Sequence, residues 1–275
     1  MKIKDLHNEA IGYLKGHFWT LLGVVFLECL VASILTGIAN QFDSAILTLI
    51  FSIAIYAITV PLSFGVIVSF MKVSRGKSIS VFDFVNDGMK SFKKVWAVFG
   101  RTVLKLLLPT ILMVVAYIAC IIPNIISIAI GISGGEVPSY LTGFQIVVFI
   151  LAITATVFYI VKSLLYSLTS YILYDNPELT GKEIVNESAR MMKGYRGKYF
   201  LLSLYLVAII AALYILVSFI SVLLSSIIII ILGIILVVIA TVILIPYAFA
   251  IQVAFYNLLR KELDGNNDPI ETTEE

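Results

Sequence analysis

The chain has 275 residues, 60% hydrophobic and 13% charged, with a net charge of +2. A soluble domain is roughly 45–50% apolar and about 25% charged, and a water-soluble body this greasy would expose apolar patches and aggregate. Near-neutrality without a basic domain leaves no electrostatic footprint for nucleic acid.

The apolar excess is gathered into runs long enough to cross about 30 Å of hydrocarbon at about 1.5 Å per helical residue. Six spans follow in order: Phe18–Ala39, Ala45–Phe70, Val103–Ile130, Phe144–Tyr171, Tyr199–Ile220 and Ile227–Phe255. The first is too long for the h-region of a cleaved signal peptide and carries Glu28, so it reads as a retained helix. No charge separates the fifth span from the sixth between Lys198 and Arg260, and the turn is expected near Ser221–Ser226. Cys29 and Cys120 lie inside apolar runs, which suits small buried residues and indicates neither a disulfide nor a metal site.

Orientation follows from lysine and arginine. All 19 basic residues fall in the N-terminal stretch, the segments joining spans two to three and four to five, the C-terminal stretch, or the nearby span ends. The opposite loops, near Asn40–Ser44, Gly131–Gly143 and Ser221–Ser226, contain none. This asymmetry places both termini in the cytoplasm. The acidic tail 264–275, with Gly, Asn and Pro, is expected to be disordered.

Three membrane-proximal segments share one pattern: acid, apolar, any residue, Asn, acid, four free positions, apolar, Lys. The copies begin at Asp5, Asp83 and Glu183, and they align Asn8, Asn86 and Asn186, and likewise Lys15, Lys93 and Lys193. Helical spacing puts Leu6, Ala10, Tyr13 and Leu14 on one face of the first. It does the same for Val81, Val85, Met89 and Phe92 in the second, and for Val185, Ala189 and Met192 in the third. Ser80 with Asp83 and Thr180 with Glu183 form capping boxes, and Gly194 is placed to end the third helix. Such helices suit the headgroup layer. The run from Pro61 to Phe70 also parallels that from Pro246 to Phe255 in its proline, both phenylalanines and a valine, while span four lacks it. Together these features suggest one membrane domain, 1–263, built from three parallel units of an interfacial helix and a hairpin, about 1–72, 73–174 and 175–263. Chance likeness between amphipathic segments is the competing explanation.

The stretch Tyr171–Leu179, the run Ser188–Gly194, Pro61–Gly65, the Ser74-Arg75-Gly76 turn, Ile245-Pro246-Tyr247 and Phe255-Tyr256 resemble a bacterial family of polytopic membrane proteins, domain of unknown function 975. The resemblance covers most of the chain and implies a plasma-membrane protein with no activity to carry over. The chain is also distantly similar to the membrane portion of some glycerophosphodiester phosphodiesterases, but their soluble catalytic domain is absent. Span four departs from the family pattern in lacking a Pro-Gly near Phe158–Tyr159.

Among single residues, Glu28 stands out because an ionisable group at mid-depth is costly and is expected to face the bundle interior or water. Proton relay, cation site, substrate contact and simple packing are all open. Lys162 and Gln252 are the other polar candidates within spans, with Lys162 expected to snorkel to the surface. Pro61 and Pro246 are expected to break their helices and free backbone carbonyls, either lining a cavity or making plain kinks. Asp175-Asn176-Pro177 reads as a helix stop and restart, a structural feature. Asn8, Asn86 and Asn186 are candidates for hydrogen bonds between the units.

His7 and His17 are too far apart to form a ligand pair, and no phosphate loop, serine elbow or His-Glu-x-x-His occurs, so no metal, cofactor or catalytic centre is indicated. The expectation is an all-α, non-enzymatic polytopic protein that binds or moves an amphiphile, a lipid or hydrophobic peptide. The alternative is a scaffold or accessory subunit docking a protein partner through its cytoplasmic helices.

Overall fold

The structure, a computed structural model, describes residues 3–136, 138–224 and 227–265. Its elements are α1 (Ile3–Leu14), α2 (Phe18–Ala39), α3 (Ala45–Ser74), α4 (Asp83–Lys90), α5 (Phe92–Ile132), α6 (Ser139–Leu164), α7 (Thr169–Asp175), α8 (Gly181–Met191), α9 (Arg196–Leu224) and α10 (Ile227–Gly265). Six helical stretches are long and apolar enough to cross a membrane: α2, α3, α5, α6 with α7, α9 and α10. Most exceed the apolar runs, because a helix continues into the headgroup region as long as its polar residues are solvated there. Residues 225 and 226 of the expected fifth turn, and the tail from 266, lie outside the described residues.

The spans expose much of their apolar surface, as lipid-facing helices do: Leu108, Phe149, Leu201 and Val207 are each about three-fifths exposed. The buried core gathers instead at the end carrying α1, α4 and α8. Phe70, Met71, Phe84, Leu168, Ile172, Ile184, Phe255 and Tyr256 are all under 2% exposed there.

The three short helices bury matching positions. Leu6 and Ala10 in α1, Phe84 and Gly88 in α4, and Ile184 and Ser188 in α8 stand two before and two after the aligned asparagines, and all six are buried. The expected face of α4 is therefore displaced: Val85 and Met89 are 38% and 45% exposed, while Phe84 and Gly88 point inward. Close backbone approach is the reason. A Cβ on Gly88 would lie 2.3 Å from the Pro61 carbonyl oxygen, and one on Gly65 would lie 1.9 Å from that of Phe84. Glycine is required on both helices for this approach.

The termini of the short helices follow local chemistry. Thr180 and Glu183 form the full reciprocal capping box, whose hydrogen bonds hold the Glu183 carboxyl below its ordinary range. Only half of the expected Ser80 box forms, with the Ser80 amide donating to Asp83 at 2.9 Å. Gly194 takes φ +89° just beyond α8, the left-handed conformation that ends a helix.

Pro61 and Pro246 do not break their helices, contrary to expectation; both lie inside continuous α3 and α10. A proline deprives only the carbonyl four residues back of its donor. At Pro61 that carbonyl is Ala57, and it accepts from Trp96 Nε1 at 3.2 Å. The discontinuity falls in span four, where α6 stops at Leu164 and α7 starts at Thr169. Buried Ser188 of α8 satisfies this break, donating to the Leu165 carbonyl at 2.8 Å and accepting from the Leu168 amide at 3.3 Å.

Candidate functional site

Two polar constellations sit among the spans. The first begins at Glu28 on α2, which is partly exposed. Ser63 Oγ on α3 donates to Glu28 Oε1 at 2.7 Å, and Cys29 Sγ lies 3.8 Å from Oε2. The expected polar partner is therefore present, and it is a hydroxyl. Many hydroxyls elsewhere in the spans bond back to a carbonyl three or four residues earlier, as Thr36, Ser52, Thr59, Ser69, Thr110 and Ser163 do. Ser63 forgoes that bond for Glu28. No cation lies within ion-pairing distance of Glu28 among the described residues.

Ser63 also lines a groove of about 360 Å³ between α3, α5 and α7. Tyr56, Thr59, Thr102, Thr169 and Ser170 supply its other hydroxyls, Val60, Phe64, Ile67, Val98, Phe99 and Leu173 much of its apolar wall, and no charged residue lines it. Pro61 is buried beside this wall, one residue before Leu62 in the core.

The other predicted residues are not brought to Glu28. Lys162 Nζ sits 5.6 Å from the Phe158 ring centroid, a cation–π contact on its own helix. Gln252 Oε1 instead accepts from Tyr171 at 3.2 Å and Tyr199 at 3.4 Å, joining α10 to α7 and α9. Beside Pro246, the Tyr247 hydroxyl meets His7 Nδ1 at 2.9 Å and ties α10 to α1. Asn8, Asn86, Asn186, Lys15, Lys93 and Lys193 are all exposed, and the asparagines make no hydrogen bond to one another. The buried repeat positions flank them.

The second constellation was not singled out from the sequence. Asp175, at the end of α7, has a side chain only 1% exposed and pairs with both Arg75 and Arg260. Tyr256 donates to the same carboxylate at 2.8 Å. Arg75 follows α3, and Arg260 lies in the last turns of α10, so the carboxylate clamps the ends of three returning spans. Asn257 adds bonds to Tyr13 at 3.3 Å and Ser74 at 3.1 Å, and Tyr13 donates to Glu9 at 2.6 Å. Burial and then the Glu9 carboxylate push the Tyr13 hydroxyl up from 10.0 to about 12. The helix stop at Asp175 is as expected, but the residue is also a junction.

A signal for this junction was present. Arg75 stands fourteen residues after Pro61, and Arg260 fourteen after Pro246. Tyr171, which stacks on Tyr256 with ring centroids 5.4 Å apart, precedes Asp175 by the four residues that separate Tyr256 from Arg260. Carrying the proline register onward brings the three charges to one position.

Among the described residues no group of three or more His, Cys, Asp or Glu could hold a metal ion. A family model described as a protein of unknown function (DUF975) matches residues 1–262. No curated protein and no solved structure matches the chain, and the likeness to the membrane portion of glycerophosphodiester phosphodiesterases gains no support.

Proposed function

The chain belongs to the DUF975 family of unknown function, and from that premise we propose that it is a non-enzymatic membrane protein that binds an amphiphile in the α3/α5/α7 groove. The observation that carries this reading is the groove itself, an open cleft of about 360 Å³ with six hydroxyl-bearing residues in an otherwise apolar wall. Ligand sites are mostly apolar clefts with a few placed polar groups, and here the apolar wall takes a chain while the hydroxyls take a head. Ser63 couples the cleft to the Glu28 carboxylate. We place the protein in the bacterial plasma membrane with both termini cytoplasmic, as the charge asymmetry argues. The six matching buried positions of α1, α4 and α8 support three helix-plus-hairpin units arranged around Asp175. The amphiphile is a lipid or a hydrophobic peptide.

The test is native mass spectrometry of protein released from lipid nanodiscs. Thr59→Trp and Ser170→Phe fill the groove without touching the Asp175 junction. The expected result is a bound amphiphile retained by the unmodified protein and lost from the filled variants while their stability is unchanged. Equal retention by all three proteins would refute the reading.

A further inference from the structure

Resting on that groove, we infer that its occupant carries a hydrogen-bond-donating, cationic head, an alkylammonium, and not a phosphate. The hydroxyl protons of the wall decide which head it accepts. A serine or threonine hydroxyl has one proton to give and two lone pairs to receive with. Four of the six hydroxyls lining the groove have already given theirs. Ser63 donates to Glu28 at 2.7 Å. Thr59 and Thr102 donate at 3.0 Å to the carbonyls of Ile55 and Val98. Thr169 donates at 3.0 Å to the Tyr166 carbonyl. Towards the groove each presents lone pairs alone. Only Ser170 and Tyr56 keep a proton uncommitted to any described residue.

A phosphate or carboxylate head is built of acceptors, so it would face acceptors at four positions and go short of hydrogen bonds in an environment where each unmet one is expensive. An ammonium has three donors and no acceptor, the complement of this wall. Charge points the same way. Among the described residues Glu28 has no cationic partner, and no lysine, arginine or histidine lines the groove. An ammonium on Ser63 would complete a donor chain, with its N–H to Ser63 Oγ and the Ser63 hydroxyl to Glu28, and would neutralise a carboxylate in a low-dielectric setting. Glu28 thus acts through Ser63 as a positioning residue.

The test uses the full-length protein in nanodiscs of neutral phosphatidylcholine, with empty nanodiscs as the blank. Three fluorescent probes share one alkyl chain and differ in head: ammonium, phosphate and glucoside. The ammonium probe is expected to bind about tenfold more tightly than the phosphate probe, the scale of one charge-assisted hydrogen bond. Glu28→Gln keeps the shape and should erase that preference, while Ser63→Ala should weaken the ammonium probe alone. Phosphate binding as tight as ammonium, or a preference untouched by Glu28→Gln, overturns the inference. Glucoside binding equal to ammonium and indifferent to Glu28 also overturns it. Binding of all three probes without preference leaves the groove reading standing and removes only the head-group inference, whereas failure of every probe to bind removes the groove reading itself.

Discussion

Replacing Asp175 with asparagine keeps the shape of the junction and removes its charge. The carboxylate is 1% exposed and holds two guanidinium groups that are 37% and 42% exposed. Breaking a fully buried ion pair costs about 3–5 kcal/mol, and an exposed pair contributes about 0–1 kcal/mol. Arg75 and Arg260 can turn partly into water once released, so the loss falls between those limits, at about 2 kcal/mol. That is roughly thirtyfold in the folding equilibrium. The assay is unfolding in mixed micelles by titration with a denaturing detergent, followed by tryptophan fluorescence. A double-mutant cycle of Asp175→Asn with Arg260→Gln should give a coupling of about 1 kcal/mol. A loss below about 0.5 kcal/mol for Asp175→Asn, within the range of ordinary surface substitutions, would refute the claim that this residue clamps the three returning spans.

Two further outcomes follow from particular contacts. Gly88→Ala would press a methyl group against the Pro61 carbonyl at 2.3 Å, displacing α4 at a cost of about 1–3 kcal/mol. Hydrogen exchange should rise across Asp83–Lys90 while α8 keeps its protection. Tyr13 titrates near 12 in the folded protein against 10.0 when unfolded. The folded state therefore holds its proton longer, and stability falls as pH rises from 10.0 towards 12. Tyr13→Phe should flatten that part of the stability–pH curve.

Much of the architecture is legible in the sequence because the membrane reduces the finding of the spans to apolar run length. The first span, Phe18–Ala39, coincides with α2 at both ends, and the Thr180 capping box forms as its spacing requires. The face of α4 is less legible because its inward anchors are one aromatic and one glycine, and glycine carries no hydrophobic signal although close approach depends on it. The break in span four is invisible for a similar reason. No proline or glycine marks Leu165–Leu168, and the hydroxyl that satisfies it comes from Ser188 on another helix. The junction depends on pairings across 100 and 85 residues, and arginines at span ends look like ordinary charges flanking an apolar run. At Glu28 the need for a partner was legible, but its identity was set by which α3 residue faces α2, and that register comes from packing.

The central claim is that an amphiphile occupies the α3/α5/α7 groove. A density map of the protein in lipid nanodiscs tests it most directly. The expected result is an elongated density against Val98 and Leu173, ending in a polar head within hydrogen-bonding distance of Ser63 Oγ, and its loss in Thr59→Trp. A groove closed by its own side chains, or density there no stronger than that of the lipid around the other spans, would contradict it.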